Sequence, residues 1–246
     1  MKKLVLGAIV VLFAWAGIAQ AAPIVIDLAN NPSGTANGGV LFTVNQLQAT
    51  GTGIINPFLR VQANGTESGY NTSVNNPPLD DKAGIWTHDL LLSAVPLVNV
   101  GGNWYREFGL DVNQTNSAAG GYDLSVDKLS VYLGTAGGWN AATWDAAKVA
   151  GTEVWTMGDY YVWLNYDLNP GSGAGDMYMY IPEGLFAGAG PYVYLYSQFG
   201  LNYVSNDGFE EWFVQTPETV VPEPATMMLL GTGLVGLGRY ARRRRR

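Results

Sequence analysis

The stretch Tyr160-Tyr161-Val162-Trp163-Leu164-Asn165-Tyr166 is aromatic or aliphatic at nearly every position and repeats with a period of two. In an extended chain Tyr160, Val162, Leu164 and Tyr166 share one face, and Tyr161, Trp163 and Asn165 the other. A helix would scatter these side chains around its circumference, so the run predicts a strand with one buried side. The same signature recurs outward from it. Val40 to Leu47 alternates, and so does Phe58 to Ala63, with Arg60 and Gln62 facing one way. Met177 to Ile181 and Tyr192 to Tyr203 are aromatic runs bounded by Gly-rich turns. Trp104 to Val112 and Leu124 to Leu133 are expected to pair as a hairpin across the loop from Asn113 to Tyr122. Ala141 to Ala150, with Asp145 and Lys148 among alanines, is the one weak helix signal. About eight to ten strands separated by turns predict an all-β protein, a single β-sandwich of jelly-roll-like type.

The charge is distributed unevenly along the 246 residues. Of 13 Lys and Arg, only Arg60, Lys82, Arg106, Lys128 and Lys148 fall between residues 22 and 221. The same stretch holds 19 of the 20 acids, for a formal charge of −14. Such a field repels nucleic acid, which is therefore not expected as a partner. With no cysteine, disulfides, thiolate metal sites and a cysteine nucleophile are excluded.

Both ends read as addresses. Lys2 and Lys3, the apolar run from Leu4 to Ile18, and Ala19-Gln20-Ala21 form a signal peptide over 1–21, with signal peptidase expected to cut before Ala22. The sandwich then occupies 22–219. Residues 220–246 hold a breaker, Val221-Pro222-Glu223-Pro224, an apolar segment from Ala225 to Gly238, and a basic stop. That stop consists of Arg239, Arg242, Arg243, Arg244, Arg245 and Arg246. The apolar segment is short for a transmembrane helix, which suits a temporary anchor. Within it Gly231-Thr232-Gly233-Leu234-Val235-Gly236 matches a dinucleotide-binding pattern, but it lacks the preceding strand that the pattern requires.

The order of Pro-Glu-Pro motif, apolar segment and arginine cluster resembles the PEP-CTERM sorting signal of exported bacterial proteins. The resemblance implies recognition of Pro222, Glu223 and Pro224 by an exosortase, which would process the tail, with Arg242 to Arg246 as the membrane stop. It also implies export to the envelope or extracellular matrix of a bacterium that makes extracellular polysaccharide, with transient anchorage in the inner membrane. Four inner segments resemble stretches of other proteins with such tails: Gly65 to Thr72, Gly84 to Leu90, Tyr105 to Asn113 and Gly208 to Trp212.

The residues of the middle suggest few chemistries. His88 is the only histidine, so neither a catalytic triad nor a histidine-rich zinc site can be assembled with ease. Calcium, which takes oxygen ligands, is the one metal the composition suits, and Asp111, Asn113, Asp123 and Asp127 around the expected hairpin are the candidate ligands. No acid pair is spaced so as to stand out for glycoside hydrolysis. The expected role is non-enzymatic. The alternative is a polysaccharide-binding module at the cell surface, working through exposed Trp and Tyr.

Overall fold

The computed structural model describes residues 22–47, 51–114, 121–168, 175–188, 190–206 and 208–217. The signal peptide expected over 1–21 and the sorting tail over 220–246 lie outside the described residues. The strands are β1 (Ile24–Asp27), β2 (Ser33–Thr35), β3 (Leu41–Thr43), β4 (Gly51–Val61), β5 (Asn64–Gly65), β6 (Glu67–Tyr70), β7 (Leu90–Leu91) and β8 (Leu97–Val100). They continue with β9 (Asn103–Asn113), β10 (Asp123–Gly134), β11 (Gly151–Thr156), β12 (Tyr160–Asn165), β13 (Met177–Pro182), β14 (Tyr192–Phe199), β15 (Ser205–Asn206) and β16 (Phe209–Pro217). One α-helical turn, α1 (Trp144–Ala147), leads into a 3₁₀ turn at Lys148–Ala150, where the sequence carried its weak helix signal. Among the described residues no helix is long and apolar enough to cross a membrane.

Two seven-stranded sheets carry the fold. The first runs β1-β12-β10-β14-β6, with β11 and β7 paired at its margin, and the second β2-β3-β13-β9-β16-β4, with β8 on β9. The period-two pattern explains their facing. Leu124, Val126, Leu129, Val131 and Leu133 of β10 join Val193, Leu195 and Phe199 of β14 in one buried cluster with Phe108, Leu110 and Val112 of β9 and Trp212 of β16. That cluster draws on both sheets, so the architecture is a sandwich with one core. Val162 and Leu164 of β12 are buried in it, with Tyr160 and Tyr166 packed against them. Trp163 faces outward and stacks on Tyr203 at 4.9 Å. The face assignment read from the opening heptapeptide therefore holds.

The expected hairpin between Trp104–Val112 and Leu124–Leu133 does not form. β9 lies in the second sheet, against β8, β13 and β16, and β10 in the first, against β11, β12 and β14. Both strands are apolar on one face and need neighbours on both edges. The chain instead crosses between sheets, and the long strands continue to alternate: β12 in the first, β13 in the second, β14 in the first, β16 in the second. β1 adds a parallel edge to β12 in an otherwise antiparallel sheet.

One turn depends on a missing side chain. Gly200, just after β14, has φ +87°, and a Cβ there would come within 1.9 Å of the Gly65 carbonyl oxygen. That neighbour is backbone and cannot swing aside. Gly200→Ala is therefore expected to cost about 2–3 kcal/mol, read as a lower urea midpoint at unchanged slope.

Candidate functional site

The outer face of the first sheet is aromatic. Tyr70 of β6, Tyr132 of β10, and Tyr194 and Tyr196 of β14 cluster there beneath Trp139 and Ala147. The segment after β10 folds back over them because Thr143 caps α1, accepting from the Ala146 N–H at 3.2 Å. Trp139 then stacks on Tyr194 at 3.8 Å and 8°, and Trp144 on Tyr196 at 4.9 Å and 13°. The tyrosine hydroxyls are held as well. Tyr70 accepts from the Ala141 N–H at 2.9 Å and donates to the Ala141 carbonyl, and Tyr194 donates to Ala136 O at 2.9 Å. Most of these rings thus form a second small core rather than an exposed row.

Beside this lid a cleft of about 510 Å³ remains open. Its aromatic wall is Trp144, half-buried, with Tyr132 and Tyr196. Ser68, Ser130, Thr143 and Thr156 supply hydroxyls, and Lys128, Asp145, Lys148 and Glu153 supply charge at the rim. Tyr132 donates to Glu153 Oε2 at 2.7 Å; burial, and then Glu153, push its phenol well above the ordinary value. Asp145 is held below the usual carboxylate range by the Lys148 ammonium at 2.5 Å. Two of the five basic residues of the acidic domain therefore border this one cleft. A ring edge beside donors and acceptors of both signs suits a polyhydroxylated ligand. The alternating strands made outward aromatics legible, but no sequence signal marked which would be covered and which would border a cavity.

A second group of buried side chains lies elsewhere. Glu67 of β6 and Glu210 of β16 point inward from opposite sheets, 1 % and 0 % exposed, and share a hydrogen bond. Ala63 N–H donates to Glu67, and Gln114 donates to Glu210 at 2.5 Å while accepting from the Asn206 N–H at 3.1 Å. Burial, and then Glu67, raise the Glu210 carboxyl well above its usual value. On the outer face Arg60 pairs with Glu211 at 2.5 Å, its guanidinium lying 4.0 Å from the Trp86 ring and 4.2 Å from that of Phe209. Burial outweighs Arg60 at Glu211, whose carboxyl is raised. These groups tie strands together and open onto no cavity described above, so their role is structural.

The calcium candidates are not brought together. Asp111 and Asn113 lie on β9, where Asn113 donates to Asp111 at 3.4 Å. Asp123 and Asp127 lie on β10 in the other sheet. Asp123 accepts from Trp163 and Asn165 at 3.0 and 3.1 Å. Asp127 accepts from Ser125, the Leu201 N–H and Asn202 at 2.7–2.8 Å. Among the described residues no group of three or more His, Asp or Glu is arranged to hold a metal ion. His88 sits just before β7 with Nδ1 2.8 Å from the Asp89 carbonyl oxygen, where it serves the local turn.

The comparisons bear on the tail. No curated protein and no solved structure matches the chain. Residues 220–246, which include Pro222, Glu223, Pro224 and the arginine stop, match the family described as the PEP-CTERM protein-sorting motif. The chain is a protein that carries a PEP-CTERM sorting signal, the type of tail through which an exosortase directs proteins to the cell surface.

Proposed function

We propose that the chain is a non-enzymatic surface or matrix protein whose sandwich holds extracellular polysaccharide in the cleft beside Trp144. Its signal peptide directs export, its apolar tail anchors it for a time in the inner membrane, and processing takes place near Pro222 to Pro224. The observation that carries the polysaccharide reading is the cleft itself, in which a partly exposed indole stacked on Tyr196 is surrounded by hydroxyl and carboxylate groups. The sorting signal, which implies export to the cell envelope or surface, supports this reading, because extracellular polysaccharide would be met there. Sugar faces stack on aromatic rings while their hydroxyls seek such polar neighbours.

The test is binding of the purified protein to the exopolysaccharide of its own host, followed by calorimetry or retention on an immobilised chain. Trp144→Ala is expected to weaken binding by about tenfold, the loss of one stacked anchor. Binding unaffected by Trp144→Ala and Tyr196→Ala together would rule this cleft out. Release of reducing ends, abolished by Glu153→Gln, would replace the non-enzymatic reading with a hydrolytic one.

A further inference from the structure

The sorting tail determines which end of the sandwich lies nearest the membrane. β16 runs toward Pro217, which sits opposite Gly51, the first residue of β4. Gln46 donates both to Glu107 at 2.9 Å and to Gln215 at 3.0 Å, so the end of β16 lies beside Glu107. From Glu107, β9 runs back only to Asn103. The chain therefore leaves at the end where the β8–β9 hairpin turns, with Leu97 opposite Arg106 and Asn99 opposite Trp104. The apolar segment of the tail begins at Ala225, eight residues beyond Pro217, a distance of at most about 29 Å fully extended.

That end includes a stretch poor in charge. From Leu90 to Tyr105 there are 16 residues without a single Asp, Glu, Lys or Arg. Three large apolar residues of this stretch stay exposed: Leu91 at 44 %, Leu97 at 45 % and Trp104 at 54 %. Arg106 binds the pieces together, donating to the carbonyls of Leu92 at 3.2 Å and Val95 at 2.8 Å. Its own charge is matched by Glu183 at 2.6 Å. An end whose Arg106 is paired with Glu183 and which carries exposed apolar side chains and an indole is the kind of surface that partitions into lipid headgroups, where tryptophan is favoured. In a domain of formal charge −14, such an end meets a bilayer with less repulsion than an acidic face would.

We propose that, while the tail holds the chain in the membrane, this end rests on the lipid surface, with Trp104 and Leu97 entering the headgroup layer. The inference rests on the reading of the tail as an anchor. What singles out lipid as the occupant is the tether, which confines the hairpin to within a few tens of ångström of the bilayer and makes even weak contact favourable.

The experiment uses the full chain reconstituted into phosphatidylcholine vesicles, with and without dibrominated acyl chains that quench nearby indoles. Flotation first establishes anchorage. Trp104→Phe is expected to remove roughly half of the quenchable signal, since most other tryptophans of the domain are at least half-buried. Leu97→Glu, at an exposed position, is expected to reduce quenching of Trp104 while leaving the melting temperature unchanged. Flotation with equal quenching in wild type and Trp104→Phe would overturn the proposal and leave the anchor intact. Failure of the wild-type chain to float would overturn the anchor and the proposal with it.

Discussion

The domain is expected to lose stability as pH rises from 5 to 8.5, by on the order of 5 kcal/mol, and its melting temperature should fall accordingly. Three buried carboxyls cause this. Asp81, 5 % exposed, is pushed up to about 7, chiefly by burial. Asp176, 8 % exposed, is pushed up to about 8, again by burial, with the nearby Asp111 adding to it. Glu210 is raised further by burial and by Glu67. Each binds its proton more tightly folded than unfolded. The stabilisation is complete below the ordinary carboxylate range and is lost as pH climbs through 7 and 8. Glu210→Gln should flatten the profile, because an amide can donate to Glu67 without titrating. A melting temperature that is level or rising over this range would show that these carboxyls are solvated. The direction is opposite to that of proteins stabilised by salt-bridged acids, and it follows from the scarcity of cations: Arg60, Arg106 and Lys148 are each already engaged with a partner acid.

Trp212→Ala is expected to destabilise the domain by about 3–5 kcal/mol, the range for emptying a large core site. Trp212 is fully buried on the inner face of β16, opposite Leu110 of β9 on one side and Leu59 of β4 on the other. Truncating it opens a void in the core between β9 and β4. Against a total stability of about 5–15 kcal/mol, that is a large fraction. Urea unfolding monitored by far-ultraviolet circular dichroism measures it directly. A cost under about 1 kcal/mol would mean that the surrounding Leu and Phe side chains collapse into the space. Trp212→Phe, which keeps most of the volume, should recover much of the loss.

How much of this was legible depended on the range of the interaction. The strand at Tyr160 to Tyr166 could be read, face by face, because alternation is local and burial on one side leaves a direct trace. The long strands around Leu110 and Val131 were equally clear as strands. Their partners were not, since a period of two states that a face is buried and not which neighbour buries it. Assuming adjacency placed Asp111, Asn113, Asp123 and Asp127 around one loop, whereas the chain crosses to the other sheet between Asn113 and Asp123. The Glu67–Glu210 pair was invisible for the same reason: 143 residues separate two acids that look like ordinary surface charges. The sorting tail was the most legible feature of all, because its order of motif, apolar segment and charge is contiguous and does not depend on folding.

β16 is the last of the described strands, yet it is not at an edge. It lies between β9 and β4, and among the described residues β4 has no other partner in its sheet. The second sheet therefore cannot take in β4 until the most C-terminal of the described strands is in place, because that strand is the one that binds it. That strand ends at Pro217, paired with Gly51 and four residues short of Val221 and the proline motif. Contacts of such long range are slow to form in any case. The topology thus makes closure of the second sheet depend on the stretch of chain next to the sorting signal.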